Sequence, residues 1–316
     1  MNAPFKIPAS VERHVIKDRQ QWLDLRKQDV TASAAGALLG VHDYTTAYGL
    51  WALKSGKISE DSDESGAMKR GRVLEQVAIQ LIKEEHPDWQ VTPPEAYFRD
   101  PAARLGATPD LFAFNEQGHG IVQIKTVEPG IFRRKWRDQD TGELSPPLWI
   151  VVQAIIEAHL TGAKWASVAA LVIGFSADLH IVPVPIHQGL IDRIKIAVRD
   201  FWERVESGNA PDMDYGRDGA VIAQLYGNTN GTTIDLSADN HLPELLAQDE
   251  IHKVAEATAK KGREAIRAEI LAKLGSAEAA ICAGWKISAK TTQRKAYSVE
   301  ASSYRAVRAT RLQPKE

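Results

Sequence analysis

Apolar residues recur at helical spacing in several parts of the chain. Between residues 68 and 85 they fall at positions i, i+3, i+4, i+7 and i+8, a spacing that predicts an amphipathic helix. Similar patterns, some preceded by a capping residue or followed by glycine, predict further helices. These further helices span residues 19–28, 31–40, 46–55, 148–160, 187–205 and 242–274.

Runs with strand-like patterns cluster in the middle of the chain. They predict strands at residues 89–92, 96–99, 110–114, 120–126, 166–175 and 179–183. The turn at residues 115–120 contains Asn and Gly, which tolerate positive φ, so the flanking strands are expected to pair as an antiparallel hairpin. Because helices accompany these strands, the sequence predicts an α/β (α+β) fold with a mixed central β-sheet flanked by helices.

The composition changes near residues 208–214, which predicts a domain of residues 1–210 and a C-terminal extension of residues 211–316. The extension is expected to contain the long helix and a basic β-hairpin with strands at 281–289 and 296–300. Residues 284–316 carry eight Lys or Arg against two Glu. This basic excess could contact DNA, an adjacent subunit or a partner protein, and a solvated surface is the simpler alternative.

Composition excludes several classes of protein. The 316 residues are 44% hydrophobic and 25% charged, as in ordinary globular proteins. The chain lacks a long apolar run and an apolar signal sequence, so we expect a cytoplasmic protein with no membrane partner. Cys282 is the single cysteine, which excludes an internal disulfide and a multi-thiolate metal site within one chain. The net charge of -2 means that any DNA binding must use local basic patches.

The segment of residues 107–126 carries candidate chemistry. Strand alternation places Gln123 and Lys125 on one face, while Val122 and Ile124 pack on the other. Asp110, at the start of the partner strand, can approach the polar face. A hard cation such as Mg²⁺ would then be held by Asp110 and a backbone carbonyl, with Lys125 orienting or deprotonating a water molecule.

Two helical residues are further candidates. Glu75 flanks the apolar face of the helix at residues 68–85, where it is either a third ligand or a boundary residue paired with Arg72 or Lys69. Gln153, on the helix at residues 148–160, is either part of a site or a surface glutamine. The pattern alone leaves both pairs of alternatives open.

These motifs form one ordered series that resembles a known family. The series is similar to the YqaJ-like viral recombinase or lambda exonuclease family, of the PD-(D/E)XK nuclease superfamily, over about residues 19–173. The matching residues are Arg26, Thr31-Ala32-Ser33, Gly71-Arg72-Val73-Leu74-Glu75, Ala107-Thr108-Pro109-Asp110, Gln123-Ile124-Lys125-Thr126 and Gln153.

The resemblance implies roles for individual residues. Metal ligation falls to Glu75, Asp110, Gln123 and the backbone carbonyl of Ile124. Lys125 is then the general base or the group that orients water, and Gln153 positions the nucleophile or a neighbouring phosphate. The implied 5′-phosphate contacts are Arg26, Ser33 and Thr108. A separate basic run that contains Arg133, Arg134 and Arg137 is a further candidate for DNA contact, with solvated surface as the simpler alternative. Asp100 matches a further acid of the family or belongs to a plain turn.

Gln123 departs from the family pattern, which has Glu or Asp at this position. A neutral amide oxygen can ligate a metal, but the site loses one negative charge beside a dication, so metal affinity should fall. Three explanations remain open: a permissive natural variant, an engineered Glu-to-Gln substitution that traps a bound state, or a naturally inactive protein.

The function that the resemblance implies is a Mg²⁺-dependent exonuclease, with Mn²⁺ able to substitute. It would degrade linear double-stranded DNA from 5′ to 3′ and leave 3′ single strands for recombination by annealing. The expected partners are double-stranded DNA ends, a single-strand annealing protein and further copies of the chain in a ring-shaped trimer, and the expected origin is a phage or prophage. The alternatives are a catalytically impaired DNA-binding protein and an endonuclease.

Overall fold

A computed structural model describes residues 6–59, 65–296, 298, 301 and 304–309 of the chain. The chain forms two compact units, Met1–Leu225 and Tyr226–Glu316. The helices of the first unit are α1 Arg19–Gln28, α2 Ala32–Ala35, α3 Ala47–Lys54, α4 Gly66–Glu85, α5 Pro129–Lys135, α6 Leu148–Thr161, α7 Gln188–Ser207 and α8 Gly219–Leu225. Its strands are β1 Glu12–Val15, β2 Val30–Thr31, β3 Gln90–Thr92, β4 Ala96–Asp100, β5 Leu105–Ala107, β6 Leu111–Asn115, β7 Gly118–Val127, β8 Trp165–Ile173 and β9 Ala177–Val184.

The larger sheet has five strands in the order β3-β6-β7-β8-β9. The β7 and β8 strands pair in parallel, through a connection that contains α5 and α6, and the other pairs are antiparallel. The β6–β7 hairpin turns tightly, with Asn115 opposite Gly118, whose φ of 91° suits glycine. The predicted fold class, a mixed sheet flanked by helices, is therefore confirmed.

A second sheet corrects the prediction of one central sheet. Strands β1, β4, β5 and β2 form a separate four-stranded sheet, so the strand predicted at residues 96–99 lies outside the larger one. The β2 and β5 strands are only two and three residues long, too short to show alternation in the sequence. The helix predicted at residues 31–40 is likewise shorter, because α2 ends at Ala35 and turns follow.

Helices cover both faces of β7. Ser65 caps α4 by accepting a hydrogen bond from the Met68 N–H at 3.2 Å. The buried α4 residues Ile79 and Ile82 pack with Val122 of β7 in one apolar cluster. On the opposite face, α6 residues pack with Ile121 and Val127 in a second cluster. The functional segment of β7 is therefore held between two helices.

A buried ion pair fixes the chain just after α1. The fully buried carboxylate of Asp29 accepts two hydrogen bonds from the Arg99 guanidinium of β4, at 2.9 and 3.1 Å. The Tyr97 hydroxyl donates a third at 3.1 Å. Burial raises the pKa of Asp29 while Arg99 lowers it, so the aspartate depends on its partners to stay ionised.

The first unit extends beyond the boundary expected between residues 210 and 211. Asp218 is buried and accepts a hydrogen bond from the Thr46 hydroxyl, which also caps α3. Three α8 residues, Val221, Ile222 and Leu225, pack against the core of the first unit. These contacts join residues far apart in the chain, which a change in composition does not show.

The second unit contains α9 Leu242–Leu274, β10 Ala279–Cys282 and β11 Trp285–Ser288. The long helix matches the prediction, but the predicted hairpin is wrong. The β10 and β11 strands turn at Ala283 and Gly284, inside the segment expected to be one strand, and both turn residues have positive φ. Of the predicted partner strand at residues 296–300, residues 297, 299 and 300 lie outside the described part of the chain.

Within the described ranges, no helix is both long enough and apolar enough to cross a membrane.

Candidate active site

Asp110 lies immediately before β6, where the chain enters the hairpin. Its Oδ2 atom accepts a hydrogen bond from the backbone N–H of Ile124 at 2.8 Å and another from the Gln123 side chain. Burial raises the pKa of Asp110, while Lys125 and the Ile124 N–H oppose the rise. The carboxylate is therefore fixed against the middle of β7.

Gln123 is buried against α6, on the same face of β7 as Lys125, as strand alternation predicted. Its Nε2 atom donates to Asp110 Oδ2 and lies 3.3 Å from the Ile124 carbonyl oxygen. Its Oε1 atom accepts a hydrogen bond from Gln153 Nε2 at 2.9 Å. The amide therefore presents donor hydrogens, and not its oxygen, to two of the predicted metal ligands.

Gln153 connects Gln123 to Lys125. The Lys125 ammonium donates to Gln153 Oε1 at 3.0 Å and lies 5.3 Å above the Trp149 ring. An ammonium can only donate, so Gln153 must present its oxygen to Lys125 and its amino group to Gln123. Gln153 is therefore buried and bonded into the site, and it is not a surface glutamine.

Glu75 approaches the same place from α4. Burial raises its pKa to about 7, the negative charge of Asp110 contributes further, and Lys125 opposes the rise. Another α4 residue, Arg70, forms an ion pair with Glu128 at 3.5 Å.

The five predicted side chains, Glu75, Asp110, Gln123, Lys125 and Gln153, line one cavity of about 350 Å³. The Ile124 backbone, Thr126, Arg70 and Gly71 complete its lining. The described residues contain no group of three His, Cys, Asp or Glu placed to hold a metal. The available donor set is instead two carboxylates, Glu75 and Asp110, with the Ile124 carbonyl.

This donor set fits a hard cation. Carboxylate and carbonyl oxygens are the ligands of Mg²⁺. Asp110 Oδ2 and the Ile124 carbonyl oxygen both lie within hydrogen-bond distance of the Gln123 amino group, so the two oxygens approach the same point. Burial and the negative charge of Asp110 both raise the pKa of Glu75. A cation bound between the two carboxylates would offset the effect of the Asp110 charge.

The predicted 5′-phosphate residues, Arg26, Ser33 and Thr108, lie outside the lining of this cavity. Trp22 of α1 donates from Nε1 to the Thr108 hydroxyl at 3.0 Å, and the Arg26 guanidinium lies 4.3 Å from the Trp22 ring. The Ser33 hydroxyl lies 3.1 Å from that of Thr31. The described residues that line the cavity include none of Arg26, Ser33 and Thr108. Arg26 and Thr108 thus share Trp22 as a neighbour.

The basic cluster begins on α5, which follows β7, and ends at Arg137, two residues beyond the helix. Buried Phe132 and Trp136 anchor this segment, and Arg133, Arg134 and Arg137 are exposed. A neighbouring cavity of about 320 Å³ is lined by Lys125 and Arg70 at one side and by residues of α5 at the other. The basic helix therefore lies beside the catalytic candidates.

Asp100 ends β4, and its side chain bonds the turn that follows. Its Oδ1 atom accepts from the Ala103 N–H at 3.1 Å, and Oδ2 lies 3.8 Å from the Lys195 ammonium. It lines a separate cavity of about 520 Å³ beside α7. The structure supports the turn interpretation of Asp100.

Comparisons with known proteins agree with the resemblance. Residues 21–164 match the YqaJ-like viral recombinase domain. The uncharacterized protein YqaJ of Bacillus subtilis (strain 168) is 26% identical over 227 residues, which are 70% of this chain and 68% of that protein. The predicted family resemblance is confirmed, and the match supports a nuclease.

Solved structures show more distant similarity. An alkaline exonuclease, LHK-Exo, from Laribacter hongkongensis has 20% identity and a TM-score of 0.49, covering 64% of this chain and 98% of that one. A protein from Eubacterium rectale has 12% identity and a TM-score of 0.43, covering 72% of this chain and 98% of that one. A SOX–DNA complex has 12% identity and a TM-score of 0.39, covering 62% and 70%.

The region that matches the YqaJ-like domain contains one buried acid that the sequence pattern did not single out. Glu157 follows Gln153 by one helical turn on α6, is 1% exposed, and accepts from Gln153 Nε2 at 2.8 Å. Burial raises its pKa well above the usual range, and the charge of Asp110 adds to the rise. A signal was present, because Gln153 and Glu157 are polar residues at i and i+4 in a mostly apolar helix.

Proposed function

We propose that this protein is a metal-dependent DNA exonuclease that degrades linear double-stranded DNA from 5′ to 3′. The observation that carries the proposal is the meeting of Glu75, Asp110, Lys125 and Gln153 in one cavity. These residues come from α4, the β6–β7 hairpin and α6, and a purely structural role does not require acids and a lysine to converge there. The family match to residues 21–164 is independent support.

Mg²⁺, with Mn²⁺ as a substitute, is the proposed cofactor, held by Asp110, Glu75 and the Ile124 carbonyl. When bound, such a cation lowers the pKa of a coordinated water and neutralises charge on the phosphate. Lys125 is held by Gln153 at 3.0 Å, where its ammonium can donate to a phosphate oxygen or to the attacking water. Gln153 acts through Lys125 and Gln123, since its amide bonds both.

The proposed DNA contacts divide by location. Arg26, Ser33 and Thr108 take the terminal 5′ phosphate, which would set the direction of digestion. Arg133, Arg134 and Arg137 contact the backbone of the duplex, as exposed arginines beside the cleft can. Such contacts position DNA without reading its sequence, so we expect little sequence preference.

The wider setting follows from the family resemblance. It includes a cytoplasmic location, a phage or prophage origin, a ring-shaped trimer and a single-strand annealing protein as partner. The 3′ single strands left by digestion are the substrate that such a partner would use. The second unit, Tyr226–Glu316, is the proposed region for these contacts.

One observation favours a second function, that of a catalytically impaired DNA-binding protein. The Gln123 amino group bonds Asp110 and approaches the Ile124 carbonyl, so it competes with a cation for both oxygens. A protein in which the amide prevails would bind DNA without cleaving it.

Digestion of 5′-phosphorylated linear duplex, with closed circular DNA as control, tests both functions. The protein is compared with Lys125→Ala and Gln123→Glu in Mg²⁺ and in Mn²⁺. Cleavage of linear DNA alone, abolished by Lys125→Ala, supports the exonuclease. Cleavage only by Gln123→Glu supports the impaired protein, cleavage of circles indicates an endonuclease, and no cleavage by any version rejects the enzyme.

A further inference from the structure

Glu157 is a buried carboxyl that the proposed mechanism does not use. It does not line the cavity of about 350 Å³, and within the described residues its Oε2 atom has no hydrogen-bond partner. Its neighbours on α6, Ile155, Ile156 and Ala158, are buried and apolar. Burying an acid in such surroundings costs free energy that an apolar side chain of similar size would avoid. The cost indicates that the carboxyl of Glu157 has a specific role.

The hydrogen bonds around Gln153 have one consistent direction. Lys125 donates to Gln153 Oε1, and Gln153 Nε2 donates to both Gln123 Oε1 and Glu157 Oε1. Turning the Gln153 amide over would place its amino group against the Lys125 ammonium and its oxygen against two acceptors. Glu157 therefore opposes that turn from the buried side, as Lys125 does from the cavity.

The orientation of Gln153 determines that of Gln123. Because Gln153 presents its amino group, Gln123 must answer with its oxygen and direct its own amino group to Asp110. A misoriented Gln153 amide would therefore disturb the hydrogen bond from Gln123 to Asp110. It would also disturb its own hydrogen bond with Lys125. Fixed side chains of this kind are what place a catalytic group within hydrogen-bond reach of its target.

We propose that Glu157 is a positioning residue, which fixes the amide of Gln153 and through it the side chains of Lys125 and Gln123. The proposal rests on the proposed nuclease function for its effect on catalysis. The Oε1 atom of Glu157 accepts the hydrogen bond whether the carboxyl is ionised or neutral. Acceptance of this bond, and not negative charge, is the essential property.

Two variants separate these properties in the full-length protein. Glu157→Gln keeps an oxygen that can accept from Gln153, whereas Glu157→Met fills similar space without a strong acceptor. Thr161→Val is the matched control, because Thr161 is buried on the same helix and its hydroxyl bonds only backbone carbonyls, of Glu157 and Ala158. Thermal unfolding of each variant establishes that it is folded.

The first measurement does not depend on activity. The side-chain amide protons of Gln153 are followed by NMR, assigned through Gln153→Glu. Wild type and Glu157→Gln should show slow hydrogen exchange at the Gln153 amino group, and Glu157→Met should exchange faster with shifted Gln123 signals. Unchanged exchange in Glu157→Met would overturn the proposal, even if the wild-type protein proves to have no nuclease activity.

The second measurement is steady-state digestion of linear duplex. Glu157→Met should lower kcat by about 10- to 100-fold, the usual effect of removing a group that orients site residues, with little change in KM. Glu157→Gln and Thr161→Val should stay close to wild type. Equal losses in Glu157→Gln and Glu157→Met would overturn the proposal in favour of a charge effect, and full activity of Glu157→Met would refute any positioning role.

Discussion

Replacing Gln123 with Glu should make the protein depend on a divalent cation for its stability. The substitution removes the Gln123 donor to Asp110 and places a second carboxylate against the first. A lost hydrogen bond to a charged group costs about 1.5–3 kcal/mol. Two carboxylates about 3 Å apart repel by about 5 kcal/mol at an effective dielectric constant near 20.

The repulsion has an upper limit, because the pair can take up a proton. Protonating a carboxyl of ordinary pKa near pH 7.5 costs about 4 kcal/mol, and the proton then restores a hydrogen bond between the two groups. We therefore expect a net loss of about 3 kcal/mol without cation, which lowers Tm by roughly 6–12 °C in a unit of this size. A cation at about 100 times its Kd should return about 2.7 kcal/mol.

The assay is thermal unfolding near neutral pH with EDTA and with increasing Mg²⁺. Gln117→Glu is the matched control, because Gln117 is exposed in the β6–β7 turn, six residues before Gln123 and away from Asp110. Wild type and Gln117→Glu should gain little from Mg²⁺, whereas Gln123→Glu should melt earlier in EDTA and recover. Equal melting of Gln123→Glu and wild type in EDTA, or equal stabilisation by Mg²⁺, would refute the reasoning about Asp110.

Three other predictions concern different parts of the first unit. The folded state raises the pKa of Glu75 from 4.5 to about 7, so its stabilising proton is lost as pH rises through about 7. Without cation, Tm should therefore fall across this range, and Glu75→Gln should flatten the profile; an unchanged slope would contradict the assignment. Asp29→Ala leaves the Arg99 charge unpaired and should cost about 3–5 kcal/mol in urea unfolding, whereas Asp24→Ala, at an exposed pair, should change the stability little. Replacing Arg133 and Arg134 of α5 with alanine should weaken DNA binding in a fluorescence titration. The slope of log affinity against log salt concentration should fall by the amount expected for about two phosphate contacts. An unaltered salt slope would exclude α5 from the DNA interface.

Local pattern was sufficient for the hairpin that carries Asp110, Gln123 and Lys125. Side chains alternate along a strand, and a tight turn sets which residues face each other, so spacing alone placed these residues together. The α4 face with Glu75 followed from helical periodicity in the same way. Both patterns are properties of consecutive residues.

Tertiary structure decided the rest of the candidate site. Gln153 and Glu157 approach β7 from α6, the helix that packs on the sheet in the connection between the parallel strands β7 and β8. The spacing of residues within α6 does not show which strand residues the helix contacts. The second sheet and the extent of the first unit depend on pairings between distant segments, such as β2 with β5 and Thr46 with Asp218.

The sequence by itself determined which chemical groups the site contains, and the fold determined what each one does. Gln123 reads as a ligand when its oxygen is considered alone. In the structure, Lys125 can only donate, so Gln153 presents its oxygen there and Gln123 is left to present its amino group to Asp110. The direction of a hydrogen bond depends on every partner in the network, and those partners come together only when the chain folds.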